Sequence, residues 1–126
     1  MQDPLKIAVF HNLPSGGAKR ALYGYMEYLT KTGHQVEVFV PETANEEFLP
    51  LNSVASDVHV FPVPKTLGGS IYSAIKYIPP MVKQVSLRDL EKTEQIMAEV
   101  INNGDYDVVF SEQDQYTMAP FLLKYL

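Results

Sequence analysis

The hydrophobic period of the chain changes early and sharply around a pair of adjacent glycines. Lys6 to Phe10 (Lys-Ile-Ala-Val-Phe) is β-rich and almost continuously apolar, as a parallel strand buried on both faces requires. His11 to Gly17 then concentrates turn formers: Asn12, Pro14, Ser15 and the pair Gly16-Gly17. Beyond the pair, Ala18, Ala21, Leu22, Tyr25, Met26 and Leu29 recur at helical spacing and mark one face of an amphipathic helix. Lys31 falls in its last turn, and Gly33 is placed to stop it in a left-handed conformation. A strand fed through a glycine loop into a helix is the opening unit of an α/β fold.

The rest of the chain continues that alternation. Gln35 to Val40 reads as a second strand, with Val36, Val38 and Val40 in step and Pro41 ending it. Glu42 to Asp57 is acidic and poorly periodic, with one helical turn expected around Glu46 to Leu51. Val58 to Val63 reads as a third strand, weakened by Pro62. Gly68-Gly69 opens a helix through Ile71, Ile75 and Ile78 that is interrupted at Pro79-Pro80. Ser86-Leu87-Arg88-Asp89 resembles a capping box and starts another helix carrying Leu87, Leu90, Met97, Val100 and Ile101. Asp107 to Phe110 is a fourth strand, and Met118 to Leu126 is expected to be helical, with Pro120 in its first turn. Right-handed crossovers give a mainly parallel, Rossmann-like sheet of order 3-2-1-4 with helices on both faces. Ligands in such folds sit beyond the carboxyl ends of strands 1 and 4, against His11 to Gly17 and Ser111 to Thr117.

Composition narrows the partners. With 126 residues, 46% hydrophobic and 20% charged, the chain has the make-up of one ordinary globular domain. It has no cysteine, which excludes disulfides and thiolate-bound metals and fits a reducing compartment. The N-terminus lacks the order of a signal peptide, and no apolar run reaches the roughly 18 residues that span a bilayer, so a cytoplasmic location is expected. The net charge of −5 is unevenly spread. Val58 to Arg88 holds no acidic residue but Lys65, Lys76, Lys83 and Arg88, a formal +4 that leaves −9 elsewhere. Lys76 and Lys83 are therefore candidates for peripheral contact with an anionic membrane face; the alternative is a sheet-packed helix with a solvated basic edge. A pI near 5.1 lacks the broad basic footprint of a nucleic-acid binder.

The glycine pair carries the most chemistry. A helix N-terminus presents unpaired N–H groups and the positive end of the dipole, and missing side chains let a diphosphate approach the backbone. Lys19 and Arg20 oppose that dipole, which an anionic ligand would relieve. The alternative is a plain strand-to-helix turn with two solvated basic residues. The adjacent glycines do not make the spaced dinucleotide fingerprint, and no Gly-Lys-Ser/Thr follows them to make a P-loop. His11, Glu112 and Asp114 are further candidates at the strand ends, each with a structural alternative: a packed strand-end histidine and two solvated loop acids. His11, His34 and His59 have no short ligand spacing, so no metal is expected.

Ile7-Ala-Val-Phe-His-Asn-Leu-Pro-Ser-Gly-Gly-Ala-Lys-Arg-Ala-Leu, with Gly33-His34-Gln35-Val36 and Tyr106-Asp107-Val108-Val109-Phe110, resembles the N-terminal domain of retaining family-four glycosyltransferases of the GT-B fold. Two positions depart from that pattern. Lys19 stands where the family often has an acid. Ser111-Glu112 follows strand 4 where it commonly has a histidine, so that residue's role does not transfer. The resemblance implies an acceptor-side domain, incomplete over residues 1–126, whose C-terminal donor-binding partner domain lies outside the chain. It implies a nucleotide-sugar co-substrate, no cofactor, and a sugar or lipid-linked acceptor. Gly16 and Gly17 would position the donor diphosphate, with Arg20 contributing less, and the catalytic residues stay unassigned. The chain alone is expected to be inactive and, through an uncovered strand-4 edge, to form a dimer or larger homo-oligomer. The competing class is a stand-alone Rossmann-like nucleotide-binding or regulatory module without catalytic activity.

Overall fold

A computed structural model describes residues 3–63 and 87–126. The elements expected between Gly68 and Val85, with Lys76, Lys83 and the capping residue Ser86, lie outside the described residues. Within them the order is β1 (Lys6–Asn12), α1 (Gly17–Lys31), β2 (Gln35–Pro41), β3 (Asp57–Phe61), α2 (Leu87–Asn102) and β4 (Val108–Asp114). The sheet runs β3-β2-β1-β4 with every pair parallel, the expected Rossmann-like order.

Strand alternation divides the core into two layers. Ile7 and Val9 of β1 point with Val36, Val38 and Val40 of β2 toward Leu22 and Met26 of α1, and Leu51 and Val54 close that side. Ala8, Phe10 and Phe39 point the other way, against Met97, Ala98 and Ile101 of α2 and against Leu122. The central strands are thus apolar on both faces because each face has its own helix. A fully buried leucine or methionine of this kind contributes about 1.5–3 kcal/mol.

Several local expectations shift. The buried stripe of α1 is Lys19, Leu22 and Met26, flanked by half-buried Tyr23 and Leu29, while Ala18, Ala21 and Tyr25 face outward. In α2, Leu90, Met97 and Ile101 are buried, whereas Leu87 and Val100 are exposed. β1 and β4 run further than their apolar letters, to Asn12 and Asp114, because backbone pairing continues past the last hydrophobic side chain. Met118 to Leu126 is not a helix: only Phe121–Lys124 form a 3-10 turn. Met118 adopts a left-handed φ of 61° and Pro120 is extended, so helical geometry cannot start before Phe121. Similarly, Pro50 in extended geometry confines the turn expected at Glu46–Leu51 to a 3-10 turn at Leu51–Ser53. Gly33 ends α1 with φ 98°, as its position predicts.

Candidate functional site

The glycine loop leaves the N-terminus of α1 open. Gly16 is the N-cap at φ 143°, a conformation that a side chain would strain, and its carbonyl accepts Arg20 N–H at 3.0 Å. No side chain caps the helix, and no acidic residue sits in its first turn. A Cβ added at Gly16 or Gly17 would meet nothing within 4 Å, so the pair faces free space. The orphan first-turn amides and the dipole are therefore accessible to an anion. Arg20 is exposed, its guanidinium lying over the Phe48 ring at 5.6 Å from the centroid.

Lys19, read as opposing the dipole beside an anion or else as a solvated residue of a plain turn, is neither: it is wholly buried. Its ammonium donates to the Asn45 carbonyl and lies 3.8 Å from Glu46 Oε1. The same oxygen stands 3.2 Å from His11 Nε2, off the ideal hydrogen-bond direction. His11 Nδ1 accepts Leu13 N–H at 3.2 Å, which leaves the ring proton on Nε2, facing Glu46. Burial lowers the pKa of His11 against the pull of Glu46, with Lys19 adding to the decrease. Burial also lowers that of Lys19, opposed by Glu46. For Glu46 burial acts upward, but the His11 contact and the Lys19 charge outweigh it and lower the pKa. A carboxylate of the chain itself thus compensates Lys19, and the lysine's own charge asks for no ligand.

The carboxyl ends of β1 and β4 are tied by a second network. Asn12 Nδ2 donates to Asp114 Oδ2 at 2.9 Å, while Asn12 Oδ1 accepts Thr43 Oγ1 at 2.7 Å and Gln115 Nε2 at 3.2 Å. The other Asp114 oxygen accepts Tyr116 N at 2.8 Å and Thr117 N at 3.3 Å. Asp114, expected in a loop, closes β4 and is buried with both oxygens engaged. The β1–β4 register shifts between Phe10 and Asn12, so the Glu112-Gln113 stretch faces His11 as a bulge.

Glu112 lines a groove of about 370 Å³ with Ser111, Gln113, Met118, Ala119, Pro120 and Leu123. Its negative charge reaches His11 and offsets a small part of the fall in pKa that burial imposes there. Behind the groove, fully buried Glu94 of α2 accepts Leu122 N–H at 3.2 Å through Oε1, while Oε2 has no hydrogen-bond partner among the described residues. Burial pushes its pKa up to about 7, and the charges of Asp114 and Glu91 add to the rise.

The structure therefore brings His11, Glu112 and Asp114 to one end of the sheet, at the strand ends beyond which the glycine loop follows. His11 and Asp114 are committed to contacts within the chain, and Glu112 is the one of the three that lines open space. Sequence reasoning missed Glu46, Asn12 and Thr43, whose pairing depends on the path of an aperiodic loop. Glu94 did leave a signal, since it falls on the apolar stripe between Leu90 and Met97. Among known proteins, no family model and no curated protein matches the chain. No helix among the described residues is long and apolar enough to cross a membrane.

Proposed function

We propose that the chain is the acceptor-side, N-terminal Rossmann-like domain of a retaining, nucleotide-sugar-dependent glycosyltransferase, inactive until a donor-binding domain completes the cleft. The observation that carries this reading is the uncapped glycine-pair N-terminus of α1, following β1 in a sheet of order β3-β2-β1-β4. The amides of Gly17 and Ala18 would hold the donor diphosphate, Arg20 would add charge from the rim, and Glu112 would face the acceptor from the groove at the end of β4. His11 and Asp114 would act as positioning residues, one fixing Glu46 and the other joining β1 to β4. Lys76 and Lys83 would supply peripheral contact with the inner face of a membrane when the acceptor is lipid-linked.

Calorimetric titration of the chain with uridine and guanosine diphosphates tests the donor part. Gly17→Val projects into open space and leaves the fold intact, but it crowds the diphosphate against the amides. It is expected to weaken binding about tenfold, or 1.4 kcal/mol. Equal affinity in variant and parent would contradict the assignment.

A further inference from the structure

A second cluster lies away from the glycine loop, near the amino ends of β2 and β3. These strands pair with Glu37 opposite Asp57 and Phe39 opposite His59. His59 Nε2 stands 2.9 Å from Glu37 Oε1 and 3.6 Å from Asp57 Oδ2, and all three donor atoms lie within 4.8 Å of one another. Around a tetrahedral zinc ion with ligands at about 2.0–2.1 Å, neighbouring ligand atoms are about 3.3 Å apart. The two observed separations from the imidazole nitrogen bracket that edge length.

Each donor is also oriented from behind. The His59 ring stacks on buried Phe39, with centroids 4.6 Å apart and planes 20° from parallel. Tyr106 Oη donates to Glu37 Oε1 at 3.1 Å, and Gln35 Nε2 donates to Glu37 Oε2 at 3.1 Å. Asp57 Oδ1 accepts Val58 N–H at 2.9 Å, which turns Oδ2 toward His59. Outer contacts of this kind fix ligand orientation at metal sites. Lys6 approaches Glu37 from the side of Oε2, at 3.8 Å, leaving Oε1 to face the imidazole. One ammonium stands against two carboxylates here, so a divalent ion would reverse the excess negative charge. Side-chain exposures of 12% at Glu37, 35% at His59 and 62% at Asp57 give an ion a route in and leave room for a water ligand.

We propose that Glu37, Asp57 and His59 form a binding site for a divalent transition metal, zinc above all, with a fourth position open to water. An imidazole beside two carboxylates favours zinc over magnesium or calcium, which take all-oxygen ligand sets. The histidine spacing gave no sign of this because one ligand arrives from the neighbouring strand.

Zinc chloride titrated into the whole chain by calorimetry is expected to show one ion bound per chain, undiminished by millimolar magnesium. His59→Gln, whose amide can still donate to Glu37, is expected to weaken zinc at least about tenfold. Lys6→Gln is expected to tighten it by removing a competing cation. In the unaltered protein, zinc is expected to shift the imidazole nitrogen resonances of His59 and leave those of buried His11 in place, a readout that does not depend on any variant folding. Absence of uptake, full affinity in His59→Gln, or an unmoved His59 signal would overturn the proposal.

Discussion

Lys19 shows how a single side chain redirects the reading of a motif. A lysine in the first turn of a helix stands against the dipole, and beside a glycine pair it suggests that an anion visits. Its ammonium instead turns inward to the Asn45 carbonyl and Glu46, pinning the loop that follows β2 onto the start of α1. Replacing Glu46 by glutamine should leave Lys19 buried with half its compensation. Because the Glu46 side chain is 32% exposed, water screens part of the loss. The expected cost is about 1–2 kcal/mol, below the range for fully buried pairs, read as a lower urea midpoint at unchanged slope. An unchanged midpoint would mean that the pair contributes nothing to stability. The conformation of Gly33 was legible in the letters, since it takes the positive φ expected where α1 ends, whereas Gly16 was legible only as part of a turn. The partner of Lys19 was not, because its identity rests on how an aperiodic segment returns across the sheet.

At the scale of elements, α2 carries its most unusual group on its buried face. Glu94 holds the Phe121–Lys124 turn through Leu122 N–H, and its pKa rises from 4.5 to about 7. Between those two values the unfolded chain has released a proton that the folded chain keeps. This group's contribution to stability is therefore complete below about pH 4.5, falls as pH rises, and levels off above about pH 7. The full swing is about 3 kcal/mol as an upper bound. Glu46 and Glu37, with lowered values, act in the opposite sense: their contribution is lost as pH falls below the ordinary carboxylate range. The difference between Glu94→Gln and the parent isolates the Glu94 part. Urea midpoints from pH 4.5 to 7.5 should show the variant gaining on the parent as pH rises. Parallel profiles would contradict the assignment. Periodicity made the strands, α1 and α2 and their order readable, whereas strand ends were set by backbone pairing and the helix expected over Met118 to Leu126 was prevented by the geometry of Met118 and Pro120, which no hydrophobic pattern records.

For the whole molecule, β4 forms one edge of the sheet among the described residues, with Val108 45% and Phe110 38% exposed and Tyr25 of α1 edge-on to Phe110 at 6.5 Å. Such an edge offers unpaired backbone groups beside apolar side chains. The chain is therefore expected to sediment as a dimer or larger species at micromolar concentration, and Phe110→Lys is expected to return it to monomer. A monomeric parent would contradict this. The sheet order was readable from alternation and crossover handedness, while of the candidate site only the open glycine turn at the start of α1 was readable. That turn is also where the functional account is most exposed to test. Backbone amide shifts should be followed as inorganic pyrophosphate is added to the isotopically labelled chain. The account predicts that Gly17, Ala18 and Lys19 move first and furthest, with Arg20 following. Shifts concentrated elsewhere, with these amides unmoved at saturation, would contradict it.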